Sequence, residues 1–242
     1  MLCMGEISPQ LADNEAWVDQ TFEKCDDILH RQVYLGQDRQ EGLLVYVEVA
    51  VSNLMLEEHV IGLSDVQPLK SYEEGKAALL AGNGLLFLDG DTNCYKISSK
   101  GYPGLGVKKA ENEKVIRGSQ EAFTESEKIN VALIRKRLRD SRMKVEEQTV
   151  GVRSHTMTAL VYMEDLIYQG LLTTMKQQLQ RYEIDGILDS GMLEQLSEKH
   201  WLSPFPQFQT TERPDRAAAA VLEGRIVLVT DHSPQVLILP SD

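Results

Sequence analysis

What this chain of 242 residues lacks narrows its role before any motif is read. No apolar stretch reaches the roughly 18 residues that a membrane-spanning helix needs. The opening Met1-Leu2-Cys3-Met4-Gly5-Glu6 has neither a basic cluster nor an apolar core, so no secretory signal is legible. Cysteine is scarce: Cys3, Cys25 and Cys94 are odd in number and far apart, with no CxxC. That pattern points to reduced thiols rather than a disulfide framework. Positive charge is short as well. A formal net charge of −12 disfavours nucleic-acid binding, which needs Lys and Arg concentrated against phosphate.

Motifs for chemistry are equally sparse. His30, His59, His155, His200 and His232 never fall at metal-ligand spacing with one another or with a cysteine. Asp89-Gly90-Asp91-Thr92-Asn93 opens like a calcium loop, but Cys94 replaces the required glycine and Lys100 the bidentate glutamate. Gly101, Gly104 and Gly106 have the wrong spacing for a dinucleotide loop, and GxSxG, the P-loop and HExxH are missing. The expectation is a non-enzymatic chain without metal or cofactor. The enzyme alternative is a small two-lobe hydrolase using Asp185 and Asp189 for acid–base work, although Asp189-Ser190 equally suits a helix N-cap.

What is present describes a folded protein. With 42% hydrophobic and 26% charged residues, it can bury one large core or two lobes of roughly 100 residues. Residues 1–100 carry a net charge of −10 and residues 101–242 only −2. The one basic concentration, Lys128 to Lys144 with Arg135, Lys136, Arg137, Arg139 and Arg142, lacks aromatics for base stacking and reads as a solvated helix face, with a docking face as the alternative.

The chain reads as two versions of one unit. Asp13 or Asn14 caps a first helix striped by Val18, Phe22, Cys25 and Leu29. Strands follow over 33–35 and 43–49, then helices over 54–61 and 71–80 stopped by Gly82, then a strand pair over 85–88 and 95–97. In the second half, Thr124-Glu125-Ser126-Glu127 fits a capping box for a helix running to about Arg139. Strands over 146–150 and 157–163 follow, then a helix striped by Leu171, Met175, Leu179 and Tyr182. A helix over 217–222 stopped by Gly224 and strands over 226–229 and 236–239 close the half. Leu44-Val45-Tyr46-Val47-Glu48 parallels Leu160-Val161-Tyr162-Met163-Glu164, and Ala78-Leu79-Leu80-Ala81-Gly82 parallels Ala220-Val221-Leu222-Glu223-Gly224, each in matching context. The predicted class is α/β: two similar subdomains from an internal duplication, each a mixed β-sheet with packed helices. The predicted boundaries are 1–100, a glycine-rich linker over 101–114, and 115–242.

Four separated strings carry a resemblance: Val115-Ile116-Arg117-Gly118 leading into Phe123-Thr124-Glu125-Ser126; Ile184-Asp185-Gly186-Ile187-Leu188-Asp189-Ser190-Gly191; Ser203-Pro204-Phe205-Pro206-Gln207; and Thr211-Glu212-Arg213-Pro214-Asp215-Arg216. In this order they resemble the soluble N-terminal domain of GerA-family spore germinant receptor A subunits. Ser119, Gln120, Ala122 and Gln235 depart from the family pattern. The resemblance implies two α/β subdomains facing the spore core, a multi-helix membrane domain beyond Asp242, and assembly with B and C subunits in the spore inner membrane. It also implies a role in nutrient sensing, signal transmission or complex assembly, with a small nutrient ligand or self-association as further expectations. The stage V sporulation AF type shares this domain and is the alternative. Candidate ligand or interface residues are Arg117, Glu125, Arg135, Asp185, Asp189, Glu212, Arg213, Asp215 and Arg216.

Overall fold

The structure, a computed structural model, describes residues 5–36, 39–50, 66–98, 113, 119–181, 185, 191 and 208–240. Contacts divide the chain into two units, Met1–Pro103 with Arg139–Ser141, and Gly104–Leu138 with Arg142–Asp242. In the first, α1 (Leu11–Thr21) precedes β1 (Ile28–Leu35), β2 (Gln40–Val47), β3 (Val66–Leu69), α2 (Tyr72–Leu80), β4 (Gly84–Leu88) and β5 (Cys94–Ile97). In the second, α3 (Glu127–Arg135) precedes β6 (Met143–Val150), β7 (Thr156–Met163), α4 (Gln169–Arg181), β8 (Gln209–Thr211), α5 (Pro214–Leu222), β9 (Ile226–Thr230) and β10 (Val236–Leu239).

The sheets run β1-β2-β4-β5-β3 and β6-β7-β9-β10-β8, one permutation used twice. Their registers match residue for residue. Leu44 faces Leu86 where Leu160 faces Leu228, and Leu69 faces Cys94 where Thr211 faces Val236. Matching extends to the loops. The amide of buried Asn14 donates to Ser8 O at 2.9 Å, and that of buried Asn130 to Thr124 O at 2.7 Å. Gly90 N donates to Pro9 O as His232 N does to Glu125 O. Gly82 (φ 90) and Gly224 (φ 82) stop α2 and α5 in the left-handed region, which glycine occupies without a Cβ clash. The α/β class and the pair of similar subdomains stand.

Within that class, every described pairing is antiparallel rather than mixed. The reason is topological. A helix linking β3 to β4 makes those strands parallel, as crossover units do. The hairpin strand β5 then inserts between them, so each neighbours only an antiparallel partner. β10 does the same between β8 and β9. Central β9 is buried along its whole length, which explains its unbroken Ile226–Val229 apolar run. In the second unit α3 and α5 cover one sheet face through Val131, Ile134, Ala217 and Val221. The other face packs Leu160, Tyr162 and Leu228 against Met175 and Leu179 of α4. Each such buried Val, Leu, Ile or Met side chain contributes roughly 1.5–3 kcal/mol.

Several predicted boundaries move for physical reasons. α1 begins at Leu11, and Asn14 lies inside it because its amide is used by Ser8 and its carbonyl by the Tyr72 hydroxyl. Leu29 of the predicted helical stripe belongs to β1. α3 starts at Glu127 rather than after Thr124. Its first amide donates to the distant Asp231 carboxylate at 3.1 Å, and Thr124 Oγ1 accepts from Ser126 N instead of closing a capping box. The short edge strands β3 and β8 carry no period-2 pattern strong enough to predict. Pro68 sits in β3, where an edge strand tolerates the missing donor. The helix predicted over 54–61 and Tyr182 lie outside the described residues, as does the 101–114 linker except Glu113.

Candidate functional site

The start of α5 gathers a charge network in the second unit. Arg213 stands at the N-cap without a side-chain cap, and Pro214 fills the first turn, where a missing N–H costs nothing. Arg213 instead reaches forward to Asp215 through Nε (3.1 Å) and Nη2 (2.5 Å), a two-point guanidinium–carboxylate contact. Glu113 closes the other side. Its Oε1 accepts from Arg216 Nη1 at 2.5 Å, and its Oε2 accepts from the Thr211 hydroxyl at 2.6 Å and from Glu212 N at 3.1 Å. Gln235 Nε2 donates to Glu212 Oε1 at 3.3 Å, and Phe123 N to Glu212 O at 2.8 Å.

The first unit shows why this arrangement arose. There Glu74, one turn into α2, accepts from Lys70 N at 2.9 Å, while Ser71 Oγ caps Glu74 N. At the matching position of α5 stands Arg216, which cannot accept a hydrogen bond. The carboxylate is therefore supplied from elsewhere, by Glu113. Alongside, Glu121 accepts from Lys136 (2.8 Å) and Arg137 (2.5 Å). Burial pushes the Glu121 and Asp215 carboxyls upward, but hydrogen bonds from Lys136 and Arg137, and from Arg213, outweigh it and hold both below their ordinary values. Hydrogen bonding to Asp215 raises Arg213 further.

The structure thus brings together Glu212, Arg213, Asp215 and Arg216, and adds Glu113, which sequence reasoning missed. Glu113 sits among Glu111, Asn112 and Lys114 with no periodicity to mark it. The other candidates fall elsewhere. Arg135 is fully buried and donates to Met143 O at 2.9 Å, tying α3 to the start of β6. With Lys136 and Arg137 held by Glu121, the basic run is not the solvated helix face that was expected. Val131 to Arg135 are all buried, because α3 meets both the sheet and α5. Glu125 is exposed and takes part through its carbonyl, which accepts from His232 N. Asp185 is 82% exposed, pairs with Arg153 at 3.2 Å, and accepts the Arg153 and Ser154 amides. Arg117 and Asp189 lie outside the described residues.

Chemically, the α5 network is a brace. Its carboxylates are each satisfied by a guanidinium, a hydroxyl or an amide, and the outer edge presents Arg216, half exposed, beside Asp215. Among the described residues no group of three or more His, Cys, Asp or Glu could hold a metal ion, and no helix is long and apolar enough to cross a membrane.

A duplicated antiparallel α/β unit braced in this way defines a class of two-lobed domains. Across 98% of this chain and 97% of its counterpart, the fold matches the crystal structure of the N-terminal domain of the A subunit of the Bacillus megaterium spore germinant receptor GerK3. The TM-score is 0.75 and the sequence identity 24%. Residues 54–242 match the model of the Bacillus/Clostridium GerA spore germination protein, and the chain belongs to that family. From Bacillus subtilis (strain 168), the uncharacterized membrane protein YfkQ is 32% identical over 97% of this chain, and spore germination protein KA is 30% identical over 97%. The chain spans about half the length of these curated relatives, 50% and 48% respectively.

Proposed function

We propose that this chain acts in spore germination as the N-terminal, core-facing domain of an A-type receptor subunit. It works beside B and C subunits at the spore inner membrane, in nutrient sensing, signal transmission or assembly. The observation that carries this reading is the end-to-end match to the GerK3 A-subunit domain, including both duplicated lobes. Glu113, Glu121 and Asp215 are each held by one or two cations, which suits a fixed brace. A half-exposed Arg216 on a rigid frame suits contact with an acidic partner surface.

A chimaera tests the reading. The matching part of B. subtilis spore germination protein A1 is replaced by this chain, and spores are scored for nutrient-triggered loss of optical density and for co-purification of B and C subunits. Both should survive the exchange. A chimaera that accumulates normally in spore membranes yet supports neither would refute the proposal. Calorimetry of the isolated chain against a nutrient panel, paired with light scattering, separates the finer roles. Heat without self-association favours sensing, and the reverse favours assembly.

A further inference from the structure

Because the two sheets share one register, the first unit serves as an internal control for the second. One row across the second sheet departs from it. Gln148 on β6 lies opposite Thr158 on β7, which lies opposite Thr230 on β9. By strand alternation, these side chains rise from the face that carries Leu160, Tyr162 and Leu228. Thr158 and Thr230 are fully buried. The Thr158 and Thr230 hydroxyls and the Gln148 amide nitrogen are shut off from solvent and have no hydrogen-bond partner among the described residues. The same register positions in the first sheet hold Val33, Gly42 and Leu88. The fold therefore does not need polar atoms there. Three stranded polar groups in one line are costly, and native proteins keep such groups where something satisfies them.

We propose that this row is a buried binding site for an uncharged, hydroxyl- or amide-bearing small molecule, held by Thr158, Thr230 and Gln148. Spacing and charge select the class. Directly opposed residues stand about 5 Å apart per strand, so one molecule with several linked polar groups spans all three, while a single water reaches one or two. Hydroxyls both donate and accept, and the amide nitrogen donates, so a polyol or amide matches the set. A charged ligand would find no free counter-charge on this face among the described residues. Glu146 on this face is already paired with Lys176 at 2.6 Å and accepts from the Tyr162 hydroxyl, and burying an uncompensated ion is prohibitive. The row lies next to the β6–β7 hairpin, residues 151–155, where Gly151 and His155 both take positive φ. The proposal stands apart from the receptor reading, since it needs only the register and the three side chains.

Erythritol, a neutral polyol, is the probe, and the methyl resonances of Leu160 and Leu228 report on it in the full chain. Saturable shifts are expected in the parent protein. In the Thr158→Val/Thr230→Val variant, the apparent affinity should weaken by about tenfold or more, since each neutral hydrogen bond is worth up to about tenfold. Valine keeps the shape and removes only stranded hydroxyls, so this variant should melt no lower than the parent. Gln148→Leu supplies an independent variant with the same expected loss of response. Three results would each overturn the proposal: no saturable shift at millimolar erythritol, an undiminished response in both variants, or a row filled by fixed waters in a high-resolution crystal that erythritol does not displace.

Discussion

Replacing Tyr72 with phenylalanine removes one oxygen atom and tests the corner where α1 and α2 meet. That hydroxyl donates to Asn14 Oδ1 at 2.7 Å and accepts from Ser8 N at 3.1 Å. Asn14 is fully buried and Tyr72 nearly so. The variant therefore loses two hydrogen bonds and strands a buried carbonyl and an amide, a cost of about 2–4 kcal/mol. With a urea slope of about 1–3 kcal/mol per molar, the midpoint should fall by on the order of 1 M. Trp17 stacks on the Tyr72 ring at 4.5 Å, so its fluorescence reports on this corner. A Trp201→Phe background leaves Trp17 as the sole tryptophan. The same hydroxyl adds a pH signature. Burial pushes its pKa above the ordinary value of 10.0. A raised folded pKa gives stability that is complete below the unfolded value and is lost as pH rises through the folded one. Tyr72→Phe should accordingly remove part of the alkaline loss. A midpoint within experimental error of the parent, with the alkaline arm unchanged, would refute the reasoning.

Three further outcomes follow from the network and the buried thiol. Glu113→Ala should destabilise the second unit by about 1–3 kcal/mol, because the Thr211 hydroxyl and Glu212 amide lose their acceptor. A double-mutant cycle with Arg216→Ala should show non-additivity in urea unfolding. Glu121 and Asp215, whose folded pKa values are depressed, contribute stability that is present above the unfolded carboxylate range and lost as pH falls through the lower folded values. Hydrogen exchange around α3 and α5 should accelerate in that acidic window. Burial pushes the Cys94 thiol up to about 12, so it should resist iodoacetamide at pH 8 in the native protein and react once urea unfolds the first unit.

Much of the fold was legible because its elements obey local rules. Gly82 and Gly224 mark helix ends, and the alternating or continuous apolar runs over β2, β4, β7 and β9 mark strands. The parallel between Leu44–Glu48 and Leu160–Glu164 disclosed a duplication that the registers repeat. What escaped depended on distant partners. β3 and β8 are strands only because β5 and β10 pair with them, and α3 starts where Asp231 can reach its first amide. Arg135 reads as a surface cation beside Lys136 and Arg137, yet α3 is enclosed by its sheet and by α5. The brace at α5 was half visible. Glu212 to Arg216 formed a charged string, but Glu113, which completes it, comes from about a hundred residues away and carries no pattern of its own.

The strand order also sets a timetable for synthesis. β3 cannot join its sheet until β5 exists, because β5 is its only neighbour among the described strands, so the first unit can complete its sheet once Ile97 has left the ribosome. β8 must wait in the same way for β10, and the second sheet remains unfinished until Leu239 emerges. Each half thus keeps one short strand idle until its last strand is made. A ribosome stalled between β5 and β10 would carry one complete sheet and one in which β9 still exposes the edge that β10 will cover.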